Sequence, residues 1–240
     1  MRRAGHGRPG STTANSTTRS CSVSWPTSTL ARPAADFGAA ATGARPDRVR
    51  LRELRAEDLQ PLSCWWNDPA TMVHQTNLVL PQPMKGLYRV WQVWSQNRPT
   101  SRDAGFSIEL VGGPLIGHAT LYGGNTPARA AEFAIILGPD FRGQGLGAQA
   151  TALMLRHGFH QLGLNRIHLG VYEYNQRAQR TYTRLGFRPE GRQRAAVFHN
   201  GRFHDRILMG LLASEYLASP AAGLAATRWG REPSSDGQLN

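Results

Sequence analysis

The sequence predicts a mixed α/β (α+β) domain over residues 47–218, a mostly antiparallel sheet containing one parallel β-α-β crossover and flanked by helices. Three observations carry this. Residues 106–110, 115–122 and 131–137 read as consecutive strands with short connections, an antiparallel meander. The stretch Ala131 to Gly147, AEFAIILGPDFRGQGLG, then reads as an apolar strand, a stop at Gly138-Pro139, and an arginine with three alternating glycines that open a helix. A strand at 166–171 follows that helix and so runs parallel to the strand before it.

The first 46 residues are mostly Arg, Ser, Thr, Ala, Gly and Pro. They cannot bury enough apolar surface to offset the entropy of ordering, so a disordered basic tail is expected. They lack the apolar core of a secretory signal. Val49 to Leu54 alternates like a strand. Ala56-Glu57-Asp58 leads into a helix through Leu59, Leu62, Trp65 and Trp66, which Asn67-Asp68-Pro69 breaks. A second helix is expected over 84–96, with Leu87, Val90, Trp91 and Trp94 on one side. Gly112-Gly113-Pro114 is a hairpin turn inside the meander.

The helix after the glycines shows Leu146, Ala150, Leu153 and His157 at helical period and ends at 162–165. Beyond the parallel strand, Asn175 caps a short helix carrying Ala178, Tyr182 and Leu185, closed by Gly186, and Phe187 opens another strand. Asn200-Gly201 marks a closing hairpin between 195–198 and 203–212. From Ser219 the chain turns small and polar, and a frayed tail is expected over 219–240.

The net charge is +12 and the pI about 11.0. Lys85 is the only lysine, so arginine, alanine and glycine usage follows codon bias and weakens any inference of nucleic-acid binding. The basic balance suits a polyanionic ligand such as a coenzyme, or ribosomal surroundings. Cys21 and Cys64 lack the spacing of a zinc site, the histidines are scattered, and no metal is expected. No apolar run approaches the ~20 residues of a membrane helix. The expectation is a cytoplasmic protein without membrane contact.

Arg142, Gly143, Gln144, Gly145, Leu146, Gly147 and Ala148 form the candidate anion site. Glycine permits positive φ and close ligand approach. Amides at a helix start lack intrahelical partners and carry the positive end of the macrodipole, which favours phosphate or pyrophosphate. A Walker-type loop is excluded, because no Gly-Lys-Ser/Thr follows. The letters Gly143, Gly145 and Ala148 also fit a dinucleotide fingerprint, with Glu173 as the ribose acid. That fold opens on its fingerprint, however, whereas here a meander precedes it.

Arg142-x-x-Gly145-x-Gly147 after a strand, followed by Asn175, Arg177-Ala178, Tyr182 and Leu185-Gly186-Phe187, resembles the GNAT superfamily of acyl-CoA-dependent N-acyltransferases. Leu51-Arg52-Glu53-Leu54, Trp66-Asn67-Asp68-Pro69 and the hairpin from His199 to Asp205 look like the branch of ribosomal-protein N-terminal acetyltransferases (RimJ/RimL-like). The resemblance spans residues 49–216. It implies a sheet splayed between the fourth and fifth strands, with acetyl-CoA as co-substrate and no metal. The pyrophosphate would lie on the amides of Gly143 to Ala148 and the pantetheine arm beside Ile135, Ile136 and Leu137. Asn175 would contact that arm, and Arg142 would pair with phosphate. Tyr182 would donate a proton to the departing thiolate.

For the base, the family's glutamate position falls on Gly170, which leaves Glu132, acting through a water or, alternatively, paired with an arginine. The acceptor would be a primary amine, either a protein N-terminus, including that of a ribosomal protein, or an amine-bearing small molecule such as an antibiotic, and a homodimer is compatible with the family. The competing expectations are a non-catalytic acyl-CoA-binding module, a nicotinamide dehydrogenase, and a basic tail that tethers the chain to RNA or ribosomes.

Overall fold

The structure, a computed structural model, describes residues 48–218; Asp47 and the tails expected over 1–46 and 219–240 lie outside the described residues. The strands are β1 (Val49–Arg52), β2 (Ala104–Leu110), β3 (Leu115–Tyr122), β4 (Ala130–Leu137), β5 (Arg166–Tyr172), β6 (Arg188–His199) and β7 (Arg202–Leu212). The helices are α1 (Leu59–Asn67), α2 (Pro69–Gln75), α3 (Met84–Trp94), α4 (Leu146–Arg156), α5 (Gln176–Arg184) and α6 (Ala213–Leu217). All seven strands form one sheet in the order β1-β2-β3-β4-β5-β7-β6. Every neighbouring pair is antiparallel except β4–β5.

The parallel pair is short. Ala130, Ala131 and Glu132 pair with Arg166, Ile167 and His168, and there the ladder stops. Beyond it β4 stays with β3 as far as Gly117↔Leu137, while β5 follows β7 to Tyr172↔Arg206. The two strands part at Glu132 and His168, which is the splay expected between the fourth and fifth strands.

Side chains alternate along each strand, so the sheet has two faces. Ala131, Phe133, Ile167 and Leu169 pack on one face with Leu146, Ala150, Met154 and Leu155 of α4. Each fully buried leucine or methionine there contributes about 1.5–3 kcal/mol. On the other face Ile136 and Leu115 meet Leu62 of α1 and Leu87 and Trp91 of α3. Trp91 is buried in this core with Trp66 and Trp94 packed against it, the three meeting edge to face, and Trp91 Nε1 donates to Ser63 Oγ at 3.0 Å.

Two helices go beyond the expected elements. Asn67-Asp68-Pro69 ends α1 as expected but also starts α2, because Asp68 caps it by accepting from the Ala70 amide at 3.2 Å and Pro69 sits in its first turn. The short α6 follows β7 directly, with Glu215 Oε2 accepting from the Leu212 amide at 3.0 Å.

His118 lies 1% exposed on β3, its Nε2 2.7 Å from Ser95 Oγ and its ring against Trp91. Burial pushes its pKa down to about 4. The unfolded chain therefore takes up this proton first as pH falls. The stabilisation from a neutral His118 is complete above about pH 6.5 and is lost progressively toward pH 4, up to about 3 kcal/mol. Thermal unfolding followed from pH 7 to pH 4.5 should show a steeper loss for the parent than for His118→Gln.

Candidate active site

The glycine loop follows β4 through a single turn at Pro139–Phe141. Gly143 and Gly145 adopt φ of +80° and +79°, a region side chains disfavour, and Gly145 caps α4. The first bonds of the helix run from the Ala148 and Gln149 amides to Gly145 O. The amides before them form the unpaired helix start. A Cβ at Gly147 would come within 3.0 Å of Leu137 Cδ1, so this glycine lets the helix start lie close against the end of β4. Gln144 steadies the loop, its Nε2 donating to Asp140 O at 2.8 Å.

Two arginines stand at this loop, Arg142, expected to pair with phosphate, and Arg177. The Arg142 guanidinium turns away, with Nε and Nη2 donating to Leu137 O at 3.0 and 2.9 Å and Nη2 donating to Thr71 Oγ1 at 2.5 Å. It ties the end of β4 to α2. Arg177, in the first turn of α5, instead brings Nη1 over the loop, 3.5 Å from where a Gly143 Cβ would stand. The sequence contained Arg177 only as a motif letter.

Strand alternation decides which β4 groups face the gap. The Gly138 amide donates to Ile116 O, so the preceding carbonyl, that of Leu137, points away from β3; Ile135, two residues earlier, points the same way. Ile136 does not join them: its carbonyl lies against Gly117 of β3 and its side chain is 3% exposed in the core. Both gap-facing carbonyls are already occupied. Leu137 O takes Arg142, and Ile135 O takes Gln75 Nε2 of α2 at 2.9 Å. Gln75 carried no signal in the sequence.

Tyr182 packs edge to face against Phe133, the first β4 residue past the last shared rung, and against Phe187. Burial pushes its phenol up to about 12. It is a neutral O–H at any physiological pH, and among the described residues its hydroxyl makes no hydrogen bond. Asn175 caps α5, its Oδ1 accepting from the Ala178 amide at 3.2 Å.

Glu132 stands at the branch point, across from Tyr122 on β3 and beside His168 on β5. Its Oε1 accepts from Arg206 Nη2 at 2.9 Å. Burial, then the charge and hydrogen bond of this carboxylate, push the Tyr122 phenol upward. Of the two roles open to Glu132 from the sequence, the arginine pair is the one the geometry contains. Arg206 reaches it by crossing Gly170, where a Cβ would collide with the guanidinium. Glu132, His168, Gly170 and Arg206, with Arg166 and Glu190, line a cavity of about 220 Å³ on the face opposite α4. No cluster of His, Cys, Asp and Glu among the described residues could hold a metal ion. No described helix is long and apolar enough to cross a membrane.

The family described as Acetyltransferase (GNAT) domain matches residues 48–188. The chain belongs to the GNAT acetyltransferase family. The fold expected from that resemblance is the one found, and a nicotinamide dehydrogenase fold is not. Spermidine N(1)-acetyltransferase of Escherichia coli (strain K12) is 29% identical over 170 residues, covering 71% of this chain and 89% of that enzyme. A crystal structure of spermidine N-acetyltransferase from Vibrio cholerae, in complex with CoA and spermine, superposes with a TM-score of 0.64 at 28% identity. It covers 71% of this GNAT chain and 98% of that one, and another structure of that enzyme is dodecameric. The "Putative ribosomal N-acetyltransferase YdaF" of Bacillus subtilis (strain 168) is 29% identical over 107 residues, covering 45% of this chain and 58% of the relative.

Proposed function

We propose that this GNAT protein transfers the acetyl group of acetyl-CoA to a primary amine by direct attack on the thioester. The observation that carries it is the three-rung stop between β4 and β5, placed directly before the glycine-capped start of α4. The residues suit the coenzyme. Unpaired amides from Gly143 to Gly147, with Arg177 beside them, match paired phosphates. The edge of β4 at Ile135 and Leu137, held by Gln75 and Arg142, would on their release match the amides of a pantetheine arm lying like an added strand. The coenzyme supplies an activated acyl group. An amine N–C bond forms as the C–S bond breaks, the sulfur gains a proton for which Tyr182 is the donor, and the proton the nitrogen sheds passes to solvent, which reprotonates the phenolate. Asn175 holds the start of α5, and so Arg177 and Tyr182, in place.

The ribosomal branch receives less support than the superfamily, since the ribosomal relative matches under half of this chain. A small amine is therefore the acceptor we favour over a ribosomal protein, in the cytoplasm. Self-assembly, as in the dodecameric relative, is supported by the long exposed edge strand β6. One observation favours a non-catalytic coenzyme-binding module: the base candidate Glu132 is held by Arg206. Incubation with acetyl-CoA and a panel of amines decides between the two by release of free thiol. Coenzyme binding with no thiol release from any amine would leave only the binding module.

Gln75 gives a sharper test of where the arm lies. If the coenzyme's amides take Ile135 O, Gln75 must first release it. Gln75→Ala should then tighten coenzyme A several-fold in calorimetry. Adenosine 3′,5′-bisphosphate, which lacks the arm, should bind parent and variant equally.

A further inference from the structure

We infer that the acceptor is an amine carrying a carboxylate close by, an α-amino acid in the first instance, and that Arg206 recognises that carboxylate; this rests on the acetyltransferase assignment above. The cavity beside the branch point contains two carboxylates and two guanidiniums. Both carboxylates are taken. Glu132 accepts from Arg206, and Glu190 is held by both terminal nitrogens of Arg166. A polyamine, the acceptor named for the relatives, brings extra ammonium groups that need carboxylates of their own. Here it would have to displace an intramolecular guanidinium and then lie beside it, a like-charge arrangement.

Arg206 is differently placed. Guanidinium offers five N–H donors in a planar fork suited to a carboxylate. Among the described residues only Nη2 is engaged, by Glu132, and the side chain, which lines the cavity, remains 34% exposed. Two glycines make the space. A Cβ at Gly170 would collide with the Arg206 guanidinium, and a Cβ at Gly210 would collide with the Glu190 carboxylate. Both side chains thus lie flat on the sheet and leave the cavity above them open.

The surroundings agree in sign. A second cavity, of about 780 Å³ beneath α5, is lined by Arg180, Arg184, Arg192 and Arg202, with Glu173 its one lining carboxylate. The arrangement also eases the chemistry. An amine beside a cation loses its proton more readily, because like charge disfavours its charged form. A bound carboxylate neutralised by Arg206 holds the neighbouring ammonium less firmly. Both effects lessen the need for a free base, which Glu132, paired as it is, does not provide.

The test uses the full chain with acetyl-CoA. Alanine, leucine, phenylalanine and aspartate, each as free acid and as carboxamide, are compared with spermidine by thiol release. Calorimetry in the presence of coenzyme A reads acceptor binding without turnover. The free acids should exceed both their carboxamides and spermidine in kcat/KM by about tenfold or more. Arg206→Gln should collapse the acid-to-amide ratio toward one while coenzyme binding and the unfolding temperature hold. Arg206→Lys, which keeps the charge without the fork, should retain part of the ratio. Spermidine as the preferred acceptor, or a ratio unchanged in both variants, overturns the inference and leaves acetyl transfer standing. Arg206-dependent binding of amino acids without thiol release from any amine supports the recognition and overturns the transfer.

Discussion

Replacing Tyr182 by phenylalanine should lower kcat by about 100-fold or more while the coenzyme dissociation constant stays within a factor of two. The substitution removes one oxygen and keeps the ring contacts with Phe133 and Phe187, so the packing of α5 on the sheet survives. What disappears is the buried O–H. Because burial holds the phenol near 12, Tyr182 should contribute no break to the pH–rate profile between pH 6 and 9. Steady-state kinetics with calorimetry on parent and variant check this. An undiminished kcat would remove Tyr182 from the chemistry and leave it a packing residue.

The second large effect concerns stability. Asp58 is 1% exposed beneath the sheet. It accepts from Arg52 Nη1 and Nη2 at 2.6 and 2.8 Å, from the Arg55 amide at 2.9 Å and from Ser107 Oγ at 2.7 Å. Burial opposes its ionisation, yet Arg52, the Arg55 amide and Ser107 together hold the carboxyl below the usual range. Arg52 also bonds Glu109, which in turn takes Arg50. Asp58→Ala would remove the partner of Arg52 Nη2, of the Arg55 amide and of the Ser107 hydroxyl at once, and leave Arg52 with Glu109. Breaking such a buried pair costs about 3–5 kcal/mol. For a domain of this size the unfolding midpoint should fall by about 10 °C or more. Since the Asp58 pKa is depressed, its contribution is fully present above about pH 4 and is lost as pH falls through the lower folded value. Calorimetry at pH 7 therefore reads the whole effect; a shift under 3 °C would mean the arginines find other partners.

Much of this was legible because local chemistry and global fold agree. The hairpin at Asn200-Gly201 has both residues at positive φ, as a two-residue turn between twisted strands requires. The glycine loop, the meander and the parallel crossover likewise sit where their residues place them. The misses have equally local causes. Pro69 reads as a breaker, but a proline behind a capping aspartate also starts a helix, and that second meaning produced α2. The strand expected to open at Phe187 and the hairpin arm expected over 195–198 are one continuous strand, β6, from Arg188 to His199. Its shifts at Pro189/Gly191 and Gln193/Val197, with Ala195 at positive φ, erase the alternation that marks a strand. In the site, the residues that mattered without being legible act over long separations. Gln75 meets Ile135 across 60 positions, and Arg206 meets Glu132 across 74. No spacing rule connects them, and only the folded sheet brings them together.

The early stop of the β4–β5 ladder has one more consequence. A sheet that divides in its middle acquires two extra borders, and a bare border of strand is a template for any passing peptide. Sheets usually shield their outer borders with charge or proline. This one shields an inner border with an amide and a guanidinium, Gln75 and Arg142, each hooked to a backbone oxygen. Both guards attach to α2, by sequence or by the Thr71 contact, so a shift of that one helix would expose the whole inner border together.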